Sequence, residues 1–153
     1  MIEVSSDIAL HVHADSSQGA RSEVLIRGQR SGTLVPGSVL EAALRTDSGW
    51  LLFLTHDVPY EEMLSIYLLS DAGGLLDSAT IGGPYASGSF RGLRTEPPAT
   101  VHFNFIDNAD WHLRVLDRPR LTLPWWPDAR GVWRGGRLRR SFVIGRAFAR
   151  RFD

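Results

Sequence analysis

The chain has 153 residues, of which 43% are hydrophobic and 22% charged, and its formal net charge is zero. These values are ordinary for a globular protein and exclude a largely disordered chain. The absence of cysteine excludes disulfides, thiolate metal sites and a cysteine nucleophile. All seventeen basic residues are arginine, which also excludes lysine-based mechanisms such as Schiff bases.

Neither a membrane span nor a secretory signal is recognisable. The longest apolar run, WLLFLTHDV, is interrupted at His56 and Asp57, well short of the ~18 apolar residues that a spanning helix needs. The N-terminal MIEVSSDIAL has no basic region followed by an apolar one. We therefore expect a cytoplasmic protein with no membrane contact.

Short segments of alternating apolar and polar residues recur along the whole chain, separated by turn residues. Alternation with a period of two is typical of strands that bury one face. The predicted strands are 7–13, 23–28, 38–46, 49–56, 62–70, 75–82, 88–94, 100–106, 111–117 and 120–124. Beyond them, a hairpin is predicted over 132–144, turning at Gly135 and Gly136.

Some segments depart from simple alternation. GWLLFLTH (49–56) and EMLSIYLLS (62–70) are apolar on both faces, which predicts central strands that are covered on two sides. The segment SVLEAALRT (38–46) could also form a short helix, because Leu, Glu and Ala favour one. After Ile144 we expect a short helical or frayed end.

These elements predict the fold class. About ten short strands with almost no helix indicate an all-β protein. The arrangement is an antiparallel β-sandwich, jelly-roll-like or Greek key, or else a barrel. No internal repeat or linker is visible, so residues 1–153 are expected to form a single domain.

The stretch VHFNFIDNADWHLRV (101–115) predicts two paired strands with distinct faces. Opposed residues of an antiparallel hairpin share a face. Pairing Phe105 with Leu113 or with Trp111, through a three-residue loop, gathers the apolar side chains together. The other face then carries a polar stripe, which consists of His102, Asn104, His112 and Arg114.

This polar stripe has two interpretations. Imidazoles on adjacent strands lie close enough to share a metal, or to share a ligand anion with the guanidinium of Arg114. Alternatively the stripe is the wet face that sandwich sheets ordinarily present to water. We favour the second interpretation, because the stripe contains no carboxylate at a ligand spacing.

A second group of candidate metal ligands lies near the N-terminus. His11 and His13 fall on one face of a predicted strand, and Asp15 continues the same parity. Zinc or iron needs a third and often a fourth ligand. Solvent exposure of an edge strand is the alternative, and we prefer it.

The arginines are unevenly distributed. Residues 1–113 contain fourteen acidic residues and six arginines, whereas residues 130–151 contain eight arginines and no acid. These arginines either pair with the acidic part of the same domain or form a patch for an acidic partner or an anionic surface. Nucleic acid is disfavoured because the whole chain is neutral.

The predicted interaction surface combines tryptophan with arginine. Trp125 and Trp126 lie in the Pro-rich segment LPWWPDARG (123–131), close in sequence to this arginine-rich end. Arg and Trp are enriched at interface hot spots, although the tryptophans could equally cap the core. The candidate surface consists of Trp125, Trp126, Arg134, Arg137 and Arg139.

The leading functional prediction is a non-enzymatic binding protein without a cofactor, whose partner is another protein or a second copy of the chain. One alternative is a metal-dependent or hydrolytic enzyme that uses strand and loop residues. Another is a carbohydrate-binding module that uses the loop tryptophans. The residues of the enzyme alternative are His11, His13, His56, Asp57, His102 and His112.

Overall fold

The computed structural model describes residues 1–13, 20–56, 61–84, 89–106, 109–121, 131–134 and 139–147. This part of the chain consists of strands and turns, with no helix. The strands are β1 (Ile2–Val4), β2 (Ile8–His13), β3 (Arg21–Ile26), β4 (Gln29–Pro36), β5 (Val39–Thr46), β6 (Trp50–Thr55), β7 (Glu61–Leu69), β8 (Leu75–Pro84), β9 (Arg91–Glu96), β10 (Thr100–Asn104), β11 (Asp110–Leu121), β12 (Val132–Arg134) and β13 (Arg139–Ala147).

The strands form three antiparallel sheets. The six-stranded sheet has the order β1-β5-β6-β7-β8-β12, the four-stranded sheet β13-β11-β10-β9, and the three-stranded sheet β2-β3-β4. None of these sheets closes into a barrel within the described ranges. The all-β class and the sandwich-like arrangement are therefore confirmed.

The six-stranded sheet is covered on both faces because its central strands alternate between two cores. Leu51 and Phe53 of β6 pack toward the four-stranded sheet. Their neighbours Trp50, Leu52 and Leu54 pack toward the three-stranded sheet. Strand β7 divides its side chains in the same way. The prediction that 49–56 and 62–70 are central strands covered on two sides is confirmed.

The first core lies between the six- and four-stranded sheets, and the second core lies between the six- and three-stranded sheets. The first core is rich in aromatic side chains. The ring centroids of Phe53 and Phe103 lie 5.2 Å apart, and those of Phe90 and Phe103 lie 5.5 Å apart. Trp111 is also buried, and its indole Nε1 donates a hydrogen bond of 2.7 Å to the carbonyl of Phe105. Aromatic ring pairs at these distances stabilise a core by more than the apolar area that they bury would predict.

Several short segments differ from the sequence prediction. Arg27 and Gly28 both have positive φ and close a two-residue turn between β3 and β4, the conformation that matches the twist of a tight hairpin. Strand β4 was not predicted because Gly32 and two hydroxyl residues dilute its apolar pattern. The alternative of a helix at 38–46 is wrong, since β5 occupies that segment.

The predicted hairpin over 132–144 is wrong. Strand β12 pairs with β8 in the six-stranded sheet, whereas β13 pairs with β11 in the four-stranded sheet. The two strands therefore lie on opposite sides of the first core, and each completes a different sheet. The helical or frayed end predicted after Ile144 is wrong as far as Ala147, because β13 continues to that residue. The turn predicted at Gly135 and Gly136 and the remaining residues 148–153 lie outside the described residues.

The described residues contain no helix that could span a membrane.

Candidate functional site

The predicted interaction surface is only partly described. Trp125, Trp126 and Arg137 lie outside the described residues, so their role and the carbohydrate-binding alternative stay predictions. Arg139 is exposed at the start of β13, opposite Leu121 of β11. The side chain of Leu121 is 75% exposed. This end of the four-stranded sheet therefore presents an apolar and a cationic residue side by side.

Arg134 does not lie on the surface that was predicted for it. Val132 packs against the first core, and strand alternation turns Arg134 to the same side. Its guanidinium pairs with Asp77 of β8 at 3.0 Å and donates hydrogen bonds to the carbonyls of Ser78 and Phe142. The side chain is 9% exposed, so it joins two sheets and does not face a partner.

Trp133 is an exposed aromatic residue among the described residues of this region. It lies at the centre of β12, an edge strand of the six-stranded sheet, and its side chain is 70% exposed. Because Val132 and Arg134 point to the first core, Trp133 points to the opposite face, beside its register partner Thr80. The three-stranded sheet packs over β5, β6 and β7 on that face, and Trp133 lies outside the core so formed.

The four-stranded sheet confirms the predicted faces of 101–115. The apolar side chains of the stretch are buried, and the polar stripe lies on the outer face. The predicted pairing of Phe105 with Leu113 or Trp111 is wrong, because Val101 pairs with Leu113 and Phe103 with Trp111. The connecting residues are 105–109, since Phe105 and Ala109 are themselves drawn into the core.

His102 and His112 lie directly opposite each other in the polar stripe. Their ring centroids are 6.3 Å apart, and His102 Nε2 lies 2.7 Å from a carboxylate oxygen of Glu96. The ring of His112 covers Gly145 of β13, where a Cβ atom would lie 2.1 Å from Nε2. Asn104 is half-buried and Arg114 exposed. In the polar stripe, His102 is therefore engaged with Glu96, and the side chain of Arg114 is exposed to solvent.

His11 and His13 share the outer face of β2, as their spacing predicted, and their ring centroids lie 4.8 Å apart. Glu23 of β3 is the register partner of His11, but its carboxylate binds the guanidinium of Arg30 at 2.8 Å. The hydrogen bond from Arg30 is the main cause that lowers the pKa of Glu23. Asp15 lies outside the described residues.

Metal binding gains no further support from these clusters. Among the described residues, no three side chains of the types His, Asp or Glu are placed so that they could hold an ion together. The two histidine pairs, on β2 and across β10 and β11, lie on different sheets.

His56 contacts a serine that was not among the predicted site residues. His56 Nε2 lies 2.8 Å from Ser65 Oγ, and Ser65 is 2% exposed. Burial lowers the pKa of His56, which favours the neutral ring. Ser65 lies within β7 and not on the strained turn of a G-x-S-x-G motif, so no sequence signal pointed to it. Asp57 lies outside the described residues.

Tyr67 extends this polar group beneath the three-stranded sheet. Its hydroxyl donates a hydrogen bond of 2.8 Å to the carbonyl of Pro36. Burial raises the pKa of Tyr67, and a hydrogen bond with Ser65 opposes that effect. The hydroxyls of Ser65 and Tyr67 and the imidazole of His56 therefore form one connected network at the edge of the second core.

Comparison of the chain with protein-family models, with curated proteins and with solved structures finds no match.

Proposed function

We propose that this protein is a non-enzymatic binding protein whose partner is a second copy of the chain, held through strand β12. The observation that carries the proposal is the 70% exposed indole of Trp133 at the centre of an edge strand. Exposed tryptophans are typical anchors of protein interfaces. The proposal replaces Arg134, which is engaged inside the fold, by Trp133 as the central residue of the surface.

Edge strands present unpaired backbone N–H and C=O groups that can add another strand. Two copies of β12 that pair antiparallel about Trp133 would extend the six-stranded sheet across a two-fold axis. Such an interface uses the same patch on both copies. The two indoles would then meet at its centre and lose most of their exposure to water.

The second edge of the same sheet provides a matched comparison. Strand β1 is also three residues long, and Val4 in it is 65% exposed. It has the geometry of an edge but no aromatic anchor. The proposal therefore predicts association through β12 and not through β1.

Sedimentation velocity of the full chain, over protein concentrations from about 1 to about 100 μM, tests the proposal. We expect a dimer of the 17.0 kDa chain. Trp133→Ser removes about 100 Å² of apolar burial per copy, about 2.5 kcal/mol. The dissociation constant should then rise at least about a hundredfold.

Val4→Ser is the control and should leave the dimer intact. A wild-type chain that stays monomeric over the whole range contradicts the proposal. Equal dissociation by Val4→Ser and Trp133→Ser contradicts it as well, because association would then not depend on the β12 edge.

A hydrolytic enzyme is the second candidate, and the contact between His56 and Ser65 favours it. A neutral imidazole at 2.8 Å from a hydroxyl is the arrangement of a general base and a nucleophile. Ser65 Oγ would bond to an ester carbonyl carbon as its proton passes to His56 Nε2. The proton would then leave with the departing alkoxide, and water would release the acyl group from Ser65.

The 2% exposure of Ser65 requires that the residues above it move before an ester can enter. Hydrolysis of p-nitrophenyl acetate and labelling of Ser65 by a fluorophosphonate, read by mass spectrometry, test this candidate. Activity that Ser65→Ala abolishes would support it. Hydrolysis that persists unchanged in Ser65→Ala, or an unlabelled Ser65, would remove it.

A further inference from the structure

We propose that a groove at one end of the four-stranded sheet binds a small, multiply charged oxyanion that carries phosphate or carboxylate groups. The groove has a volume of about 570 Å³ and is lined by Thr100, Arg114, Asp117, Arg118 and Arg120 among others. This volume lies within the range of small-ligand sites. The proposal does not depend on self-association through β12.

The groove exists because β11 is longer than the strand with which it pairs. Val115 pairs with Phe142 and Arg120 with Arg140, so 116–119 face a single residue of β13. The extra residues bulge from the sheet. The backbone N–H of Val115 donates a hydrogen bond of 2.9 Å to Ala99, which fixes the turn between β9 and β10 as the other wall.

The floor of the groove is apolar and the rim is cationic. Val115 and Leu116 are buried, with exposures of 5% and 9%. Arg114, Arg118 and Arg120 are exposed along the rim. A concave site with apolar walls concentrates the field of charges that surround it. An anion in this groove would therefore meet a stronger attraction than on a flat surface.

The charges of the groove are not balanced within the described part of the chain. Three guanidiniums line it together with one carboxylate, that of Asp117. Some other arginines of the described residues lie in ion pairs with carboxylates, as in Arg30 with Glu23, Arg45 with Asp71 and Arg134 with Asp77. The three groove arginines have no such ion pair there.

The residue types specify the class of ligand. A guanidinium presents a planar fork of donors that matches phosphate and carboxylate oxygens. The hydroxyl of Thr100 adds a donor on the same wall. Three guanidiniums exceed what one singly charged anion can satisfy, so the ligand should carry at least two anionic groups. Pyrophosphate represents the phosphate class, and citrate represents the polycarboxylates.

Isothermal titration calorimetry of the full chain with each anion tests the proposal, at about 50 and about 150 mM salt. We expect saturable 1:1 binding of at least one anion, with a dissociation constant below about 1 mM that weakens with salt. Binding of pyrophosphate alone assigns a phosphate ester, and binding of citrate alone assigns a polycarboxylate. Binding of both anions would show that the groove recognises the number of negative charges and not the type of anionic group.

Arg118→Gln and Arg120→Gln should each weaken binding by at least about tenfold. Both residues are exposed, so the fold should persist, which thermal melting would verify. Arg94→Gln is the matched control, because Arg94 is an exposed arginine of β9 outside the groove lining. Heats that do not saturate with either anion overturn the proposal. An equal loss of affinity in Arg94→Gln also overturns it.

Discussion

The guanidinium of Arg134 lies 3.0 Å from the carboxylate of Asp77, and the exposures of the two side chains are 9% and 3%. Asp77 also accepts hydrogen bonds from the backbone N–H groups of Ser141, at 2.7 Å, and Phe142, at 3.4 Å. The pair therefore connects β8 and β12 of the six-stranded sheet to β13 of the four-stranded sheet.

Removal of one member of this pair should strongly destabilise the protein. Asp77→Asn leaves the Arg134 guanidinium buried without its counter-charge, which costs about 3–5 kcal/mol in comparable buried pairs. Urea unfolding would measure the loss. The double variant Asp77→Asn, Arg134→Gln should lose less than the sum of the two single variants. Strict additivity would show that the two groups act independently.

Gly49 should not tolerate a side chain. Its φ is +147°, and a Cβ atom would lie 1.9 Å from the backbone carbonyl oxygen of Leu69, so Gly49→Ala must disturb the pairing of β6 with β7. Gly28→Ala is the control, because Gly28 also has positive φ but has open space around it. We expect a loss of about 1–2 kcal/mol for Gly28→Ala and a clearly larger loss for Gly49→Ala. Equal losses in thermal unfolding would contradict the clash.

Phe103 should be a principal contributor to the free energy of unfolding. It contacts the rings of Phe53 and Phe90 and is fully buried. Phe103→Ala should cost about 3–5 kcal/mol through lost burial and the cavity that remains. Leu121→Ala, at a position 75% exposed, should change stability by less than about 0.5 kcal/mol. Similar urea midpoints for the two variants would contradict the assigned core.

The stability of the protein should depend on pH through His56. Burial lowers its pKa in the folded state below the value of 6.5 that it has when unfolded. Below about pH 6.5 the unfolded chain therefore binds a proton that the folded chain does not, and stability falls as the pH approaches the lowered pKa.

His56→Gln keeps a polar side chain but removes this titration. Urea midpoints between about pH 5 and about pH 7.5 should fall more steeply with decreasing pH in the wild type than in His56→Gln. Parallel curves for the two proteins would show that His56 titrates with the same pKa in the folded and unfolded states.

Local patterns predicted the faces of the sheets correctly. The alternation in 101–115 placed Phe103 and Trp111 inside and His102 and His112 outside, because the period of a strand fixes parity. It did not fix the register, since any shift by two residues preserves parity. In the observed register, Phe105 and Ala109 are buried in the first core. Their burial depends on contacts with the opposite sheet, which the local sequence does not reveal.

Long-range partners were beyond sequence reasoning. The segment Val132–Arg134 contains one aromatic residue and one cation, and a simple apolar-inside rule would bury Trp133 and expose Arg134. In the structure Trp133 is exposed and Arg134 is buried. Arg134 can be buried because Asp77, which is far away in the chain, supplies a buried counter-charge. The contact of Ser65 with His56 likewise needs β6 and β7 to pair.

The two cores have one wall in common, the six-stranded sheet. Side chains of β6 and β7 alternate between the two cores. If either the four-stranded or the three-stranded sheet separated, it would expose apolar side chains of the same two strands that support the remaining sheet. We expect the outer sheets and the wall to melt in a single transition. Amide hydrogens of β6 and β7 should exchange last in native-state hydrogen exchange. Early exchange of these two strands would mean that the layers behave as separate folding units.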